Sequence, residues 1–135
     1  MRSRLFYHII WTTRGRQTRA DAPAARFLQR FIPSVARRER SRVLAIGIVA
    51  THVHVLVETH QTTSLPRLVQ RFKGGSSVLI NREGHSSNLL RWQKGYAIRT
   101  VGPRGLEAAR AYVLSQDRRH PDERIPVALA TDAAE

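Results

Sequence analysis

A chain of 135 residues with no cysteine and a formal net charge of +13 is long enough for one domain with a core of its own. The missing cysteines exclude a disulfide scaffold, a thiolate zinc site and a cysteine nucleophile, and they fit a reducing cytoplasm. The basic residues are arginines apart from Lys73 and Lys94. A surplus of guanidinium groups suits a polyanion, because the planar fork bonds phosphate and stacks on bases. The start, Met1-Arg2-Ser3-Arg4, leads into a short strand-like run rather than a signal peptide. The longest apolar run, Val43 to Ala50, is too short to cross a bilayer.

In chain order, Leu5 to Thr13 is aromatic and β-branched and predicts a strand, closed by Arg14-Gly15-Arg16. Asp21 is placed as an N-cap with Pro23 in the first turn. Phe27, Leu28, Phe31, Ile32 and Val35 then recur at helical spacing, predicting a helix from about Ala22 to Arg40, with a kink or break at Pro33. Arg42 to Ala50 predicts a second strand, with Gly47 marking a bulge or bend. A third strand follows at once, across a join that carries no Asn-Gly turn signal.

Ser64 and Pro66 open a second helix whose buried stripe is Leu65, Leu68, Val69 and Phe72. Gly74-Gly75 weakens it, and Ser76 to Arg82 can continue it. Gly84 to Asn88 is a loop, and a last strand centres on Tyr96 to Val101. A third helix runs from about Leu106 to Arg119, with Leu106, Ala109 and Val113 as its packing stripe. The stretch after Pro121 has little pattern and is expected to wrap the surface or fray. The order is that of a split βαβ, ferredoxin-like α+β fold: an antiparallel sheet, helices on one face, and an extra C-terminal helix. Residues 1–120 form the domain and 121–135 a tail.

Two stretches carry candidate chemistry. In Ala50-Thr51-His52-Val53-His54-Val55-Leu56-Val57-Glu58, strand alternation puts His52 and His54 on one face and the valines on the other. Two imidazoles two residues apart on a rigid strand are a ready pair of metal ligands. The same pattern also suits polar residues on a half-exposed strand. In the third helix, Tyr112 and Gln116 lie four apart and share one shoulder. They can reach a site on the sheet, or they can be ordinary amphipathic packing with Tyr112 half-buried and Gln116 solvated. His8, His60, His85 and His120 are read as surface or locally hydrogen-bonding residues. Tyr7 and Tyr96 are read as core or aromatic contacts.

Five pieces in this order resemble one family: Tyr7-His8-Ile9-Ile10-Trp11-Thr12-Thr13, His52-Val53-His54, Phe72-Lys73-Gly74-Gly75-Ser76-Ser77, Trp92-Gln93-Lys94-Gly95-Tyr96 and Tyr112-x-x-x-Gln116. Together they resemble the IS200/IS605-type Y1 transposases of the HUH single-strand nuclease superfamily. The resemblance implies that His52, His54 and Gln116 hold a divalent metal, Mg²⁺ or Mn²⁺, and that Tyr112 is the nucleophile. It implies cleavage and rejoining of single-stranded DNA at hairpin ends through a 5′-phosphotyrosine, and a homodimer with sites completed between subunits. The sequence departs from the family at Ala50-Thr51 before the histidines and at Ala-Ile-Arg-Thr-Val-Gly after Tyr96. Arg67, Arg71 and Lys73 on the second helix, with Arg14, Arg16 and Arg19, are the candidate DNA contacts. A ferredoxin-like nucleic-acid binder without catalysis is the alternative. It has no use for His52, His54, Tyr112 and Gln116 together. A related nuclease of replication or plasmid transfer would need further domains.

Overall fold

The computed structural model describes residues 4–16 and 20–125, with the side chain of Arg16 excluded. Four strands, β1 (Leu5–Thr12), β2 (Ser41–Val49), β3 (His52–Thr59) and β4 (Ala97–Val101), form one antiparallel sheet in the order β2-β3-β1-β4. This is the α+β arrangement that the element order predicts. No helix among the described residues is long and apolar enough to cross a membrane.

The main core lies on one face. Ile9 and Trp11 of β1, Ile46 and Ile48 of β2 and Val53, Val55 and Val57 of β3 meet Leu28, Ile32 and Val35 of helix α1 (Ala22–Arg38). Leu68 and Val69 of α2 (Leu65–Gln70) and Ile80 of α3 (Ser76–Glu83) complete it. The period-2 pattern of β3 is why the valines face inward there.

Pro33 does not break α1, which runs as one helix through it. A proline removes one backbone donor, but the apolar face that α1 buries outweighs that local loss. Between α2 and α3 the chain makes a π-helical segment, Arg71–Gly75, rather than an interruption. It sets the ring of Phe72 against Trp11, with centroids 6.0 Å apart.

The bulge in β2 falls between Val43 and Ala45, not at Gly47. The extra residue, Leu44, keeps Val43 and Ile46 both facing the main core while Leu44 and Ala45 face the other side. Ala50 and Thr51 alone make the turn, since Val49 pairs with His52.

The other sheet face carries helix α4 (Leu106–Leu114). Val113 packs on Phe6, Leu44, Ala45 and Leu56, flanked by Leu106 and Ala109. The helix does not run unbroken to Arg119. It pauses at Ser115, and a short α5 (Gln116–Arg119) follows. Of the expected tail, residues 121–125 pack on the domain, and residues 126–135 lie outside the described residues. Ala50 N–H donates to the Glu123 carbonyl at 2.8 Å, and Ile125 enters the main core.

Asp21 ties two segments together. One carboxylate oxygen caps α1 by accepting from Ala24 N–H at 3.1 Å. The other accepts from Ser87 N–H and Ser87 Oγ, each at 2.8 Å, and from Ser86 Oγ at 3.1 Å. Burial raises its pKa, but the bonds from Ser87, Ala24 and Ser86 outweigh this and lower it on balance. A carboxyl whose folded pKa lies below its unfolded value contributes stability that is full above the unfolded value. That stability is lost as pH falls through the folded one. Asp21→Ala is therefore expected to cost about 2 kcal/mol at pH 7. In urea denaturation the gap to wild type should shrink once the pH falls below about 4. An equal gap at pH 7 and pH 3 refutes the charged-cap account.

Candidate active site

The site is built where α4 and α5 cross the sheet face opposite the main core. Strand alternation aims His52, His54 and Leu56 of β3 at that face, and Phe6 and His8 of β1 join them. Leu56 and Phe6 pack under α4, whereas the imidazoles line the end of the sheet near the β2–β3 turn. Both histidines are buried, His52 at 8% and His54 at 3% exposure.

Gly47 makes the crossing possible. It is the cross-strand partner of His54, and α4 approaches it so closely that a Cβ there would lie 2.0 Å from the Val113 carbonyl oxygen. The same Cβ would lie 3.1 Å from Cγ of Gln116, so the Gln116 side chain sits over the neighbour of His54. Gln116 is fully buried, against the expectation from simple amphipathic packing that it is solvated. Its Nε2 donates to the Tyr112 carbonyl at 2.9 Å, while Oε1 is buried with no hydrogen-bond partner among the described residues.

Tyr112 is exposed, at 38%. Its ring stands edge-on to His54 at 5.8 Å and to His8 at 5.7 Å between centroids. The Arg119 guanidinium lies over the ring at 4.5 Å and donates to Ser115 Oγ at 2.8 Å. The break at Ser115 thus leaves Tyr112 and Gln116 in register, one turn apart.

His8 and His120 are placed otherwise than the sequence reading has them. His8 is buried, and its Nε2 shares a hydrogen bond of 2.9 Å with His54 Nδ1. No local sequence signal places it there: His8 shares the parity of Ile10, and only the register that pairs Ile10 with His54 brings it to this face. His120 stands edge-on against His52 at 4.8 Å. Burial first, then the neighbouring His52, His8 and His120, pushes the His54 pKa down to about 3. Burial and then Arg99 lower that of His8. His54 is a neutral imidazole at pH 7. His52 Nδ1 lies 3.2 Å from Thr51 Oγ1 and 3.5 Å from the Glu123 carboxylate. Among the described residues no three His, Cys, Asp or Glu side chains are grouped so as to hold a metal ion. The third donor that the sequence nominates is a carboxamide.

The candidate DNA contacts separate. Arg14 is exposed and lines a cavity of about 460 Å³ with Lys73, Asn81, Arg91, Trp92 and Lys94. Lys73 is committed: its ammonium donates to the Gln93 carbonyl at 2.8 Å and the Gly95 carbonyl at 2.5 Å. Burial lowers its pKa. Arg67 and Arg71 are exposed on the helical layer, each paired with Glu39, at 3.4 and 2.8 Å. Arg19 lies outside the described residues.

A family model described as "Transposase IS200 like" matches residues 1–116. Among solved structures, a putative transposase from Deinococcus radiodurans is similar at 19% identity and a TM-score of 0.65, covering 91% of this chain and 93% of that one. A REP-associated tyrosine transposase bound to a REP hairpin is similar at 12% identity and a TM-score of 0.68, covering 89% and 70%. At such identities the likeness is one of fold. A comparison with curated proteins gives no match. The match over residues 1–116, on a sheet that carries the histidine pair beneath a tyrosine helix, establishes that this chain belongs to the IS200-like transposase family.

Proposed function

We propose that this transposase cuts and rejoins single-stranded DNA at hairpin ends, through a 5′-phosphotyrosine on Tyr112 and with a divalent metal. One observation carries the reading. An accessible phenol stands edge-on to a buried, neutral histidine, one helical turn from a buried carboxamide oxygen that has no partner among the described residues. A buried acceptor without a donor is costly, and a cation satisfies it. Bound by His52, His54 and Gln116 Oε1, Mg²⁺ or Mn²⁺ would serve as a Lewis acid at the scissile phosphate oxygens.

In this reading the Tyr112 oxygen attacks the scissile phosphorus. The P–O bond to the 3′-oxygen of the preceding nucleotide breaks, and that oxygen leaves as a hydroxyl once protonated. The new phosphotyrosine keeps the phosphodiester energy, so a second strand's 3′-hydroxyl can reverse the step. Arg119, stacked on the tyrosine, holds positive charge beside the developing phenolate. The test is direct. A 3′-labelled hairpin oligonucleotide with Mn²⁺ should yield a labelled protein–DNA adduct on a denaturing gel, and Tyr112→Phe should yield none. Hairpin binding without any adduct would favour the non-catalytic reading.

Affinity comes from arginine. Arg14, Arg67 and Arg71 are exposed, and with Arg16 and Arg19 they form the proposed phosphate contacts, while Lys73 acts by holding residues 93–95 in place. Binding to a single-stranded oligonucleotide is expected to fall linearly in log K against log salt, with a slope near −3 if about four to five phosphates are neutralised. A flat plot counts against the basic surface.

The proposal includes a homodimer acting in the cytoplasm. Its supports are the family resemblance and the small packing interface of α4, which follows the sheet through the short turn Pro103–Gly105. The single chain also brings Tyr112 to its own His54. Mixing His52→Ala/His54→Ala chains with Tyr112→Phe chains separates the two arrangements. Activity regained in heterodimers means exchanged helices, and inactive heterodimers mean that each chain uses its own tyrosine.

A further inference from the structure

Past residue 116, where the family match ends, the chain turns back toward the sheet. After α5 it makes a single turn, Pro121–Glu123, and returns to the β2–β3 turn. The Ala50 N–H bond to the Glu123 carbonyl and the burial of Ile125 anchor this return at and just after Glu123. The Glu123 carboxylate is thereby delivered to Thr51, the residue immediately before His52.

Thr51 is buried, and its hydroxyl reaches two groups: it hydrogen-bonds Glu123 Oε1, and it lies 3.2 Å from His52 Nδ1. A hydroxyl has one proton to give, and an ionised carboxylate can only accept. The proton of Thr51 therefore goes to Glu123, and its oxygen must accept from His52. That fixes a proton on His52 Nδ1. In a neutral imidazole the other nitrogen, Nε2, then carries the lone pair. The carboxylate's own approach to Nδ1, at 3.5 Å, favours the same form, and the edge-on ring of His120 packs against His52.

We infer that Glu123, acting through Thr51, is a positioning residue that holds His52 with its proton on Nδ1 and its lone pair on Nε2. That is the form able to ligate a divalent cation, so the inference rests on the reading of His52 as a metal ligand. It also accounts for Thr51, one of the points at which the sequence departs from the family pattern. A relay of this kind orients the ring and raises the basicity of its ligating nitrogen, as outer partners of metal-binding histidines generally do.

The experiment reads the tautomer and the affinity separately. Long-range ¹H–¹⁵N correlation spectra of the metal-free protein at pH 7.5 report which nitrogen of His52 carries the proton. Titration with Mn²⁺ alone, followed by electron paramagnetic resonance, gives its Kd. Wild type and Thr51→Ser should show the Nδ1–H form. Glu123→Ala and Thr51→Val should shift His52 toward Nε2–H and raise the Mn²⁺ Kd by about ten- to a hundredfold. Thr51→Val keeps the shape and the backbone bond from Thr13 N–H to the Thr51 carbonyl, so its effect is separable from misfolding. A wild-type His52 protonated on Nε2, or variants with unchanged tautomer and Kd, overturns the inference. An Nδ1–H form that Thr51→Val shifts, in a protein that binds no Mn²⁺, supports the relay and overturns the metal reading instead.

Discussion

Gly47→Ala is expected to abolish most cleavage while leaving the protein folded. The added methyl would meet the Val113 carbonyl oxygen at 2.0 Å, and no rotamer can relieve a clash between a Cβ and backbone. Helix α4 must lift, and Tyr112 and Gln116 lift with it. A displacement of about 1 Å at reacting groups costs on the order of a hundredfold in rate. Overpacking of this kind costs about 1–3 kcal/mol of stability. The main core lies on the other sheet face and does not touch Val113, so a cooperative unfolding transition should persist. Rates and urea midpoints of Gly47→Ala against wild type check both parts. Cleavage within a few-fold of wild type would show that α4 does not need this close approach.

His54→Ala is expected to lower cleavage by at least about a hundredfold, the scale at which loss of one preorganised electrostatic group acts on a reaction of this type. His54 is the most deeply buried histidine of the site. It bonds His8, edges Tyr112, and pairs across the strand with the glycine under Gln116. Removing it takes away one proposed ligand and unseats the buried His8. Hairpin affinity should stay within about threefold, because the arginines proposed to supply it lie elsewhere on the surface. His52→Ala should give the same split between cleavage and binding. Equal losses in both would mean that the histidines shape the DNA-binding surface rather than the chemistry.

Much of this was legible in the chain. The alternation of β3 put His52 and His54 on one face, and the spacing of four kept Tyr112 and Gln116 together even though the helix pauses between them. Both are local periodicities, set by backbone geometry within a few residues. The two motifs around Phe72 and Trp92 were legible as motifs but not as a pair. Their meeting, with Lys73 bonded to the carbonyls of Gln93 and Gly95 and Trp92 Nε1 donating to Ser76 Oγ at 3.0 Å, makes Lys73 a structural link as well as a charge.

What the sequence determined by itself was the order of elements, the shared face of His52 and His54, the common shoulder of Tyr112 and Gln116 and the excess of arginine. These follow from residue type and short-range spacing. What only the tertiary structure decided was which distant groups converge. His8 became a partner of His54 because β1 pairs with β3 in one register. Gly47 proved to be the seat of α4 rather than a bulge because the helix crosses the sheet there. Glu123 reached Thr51 because the chain beyond α5 turns back to bury Ile125. Such contacts span up to 72 residues of sequence. No local pattern encodes them, because they arise only when both faces of one sheet are covered at once.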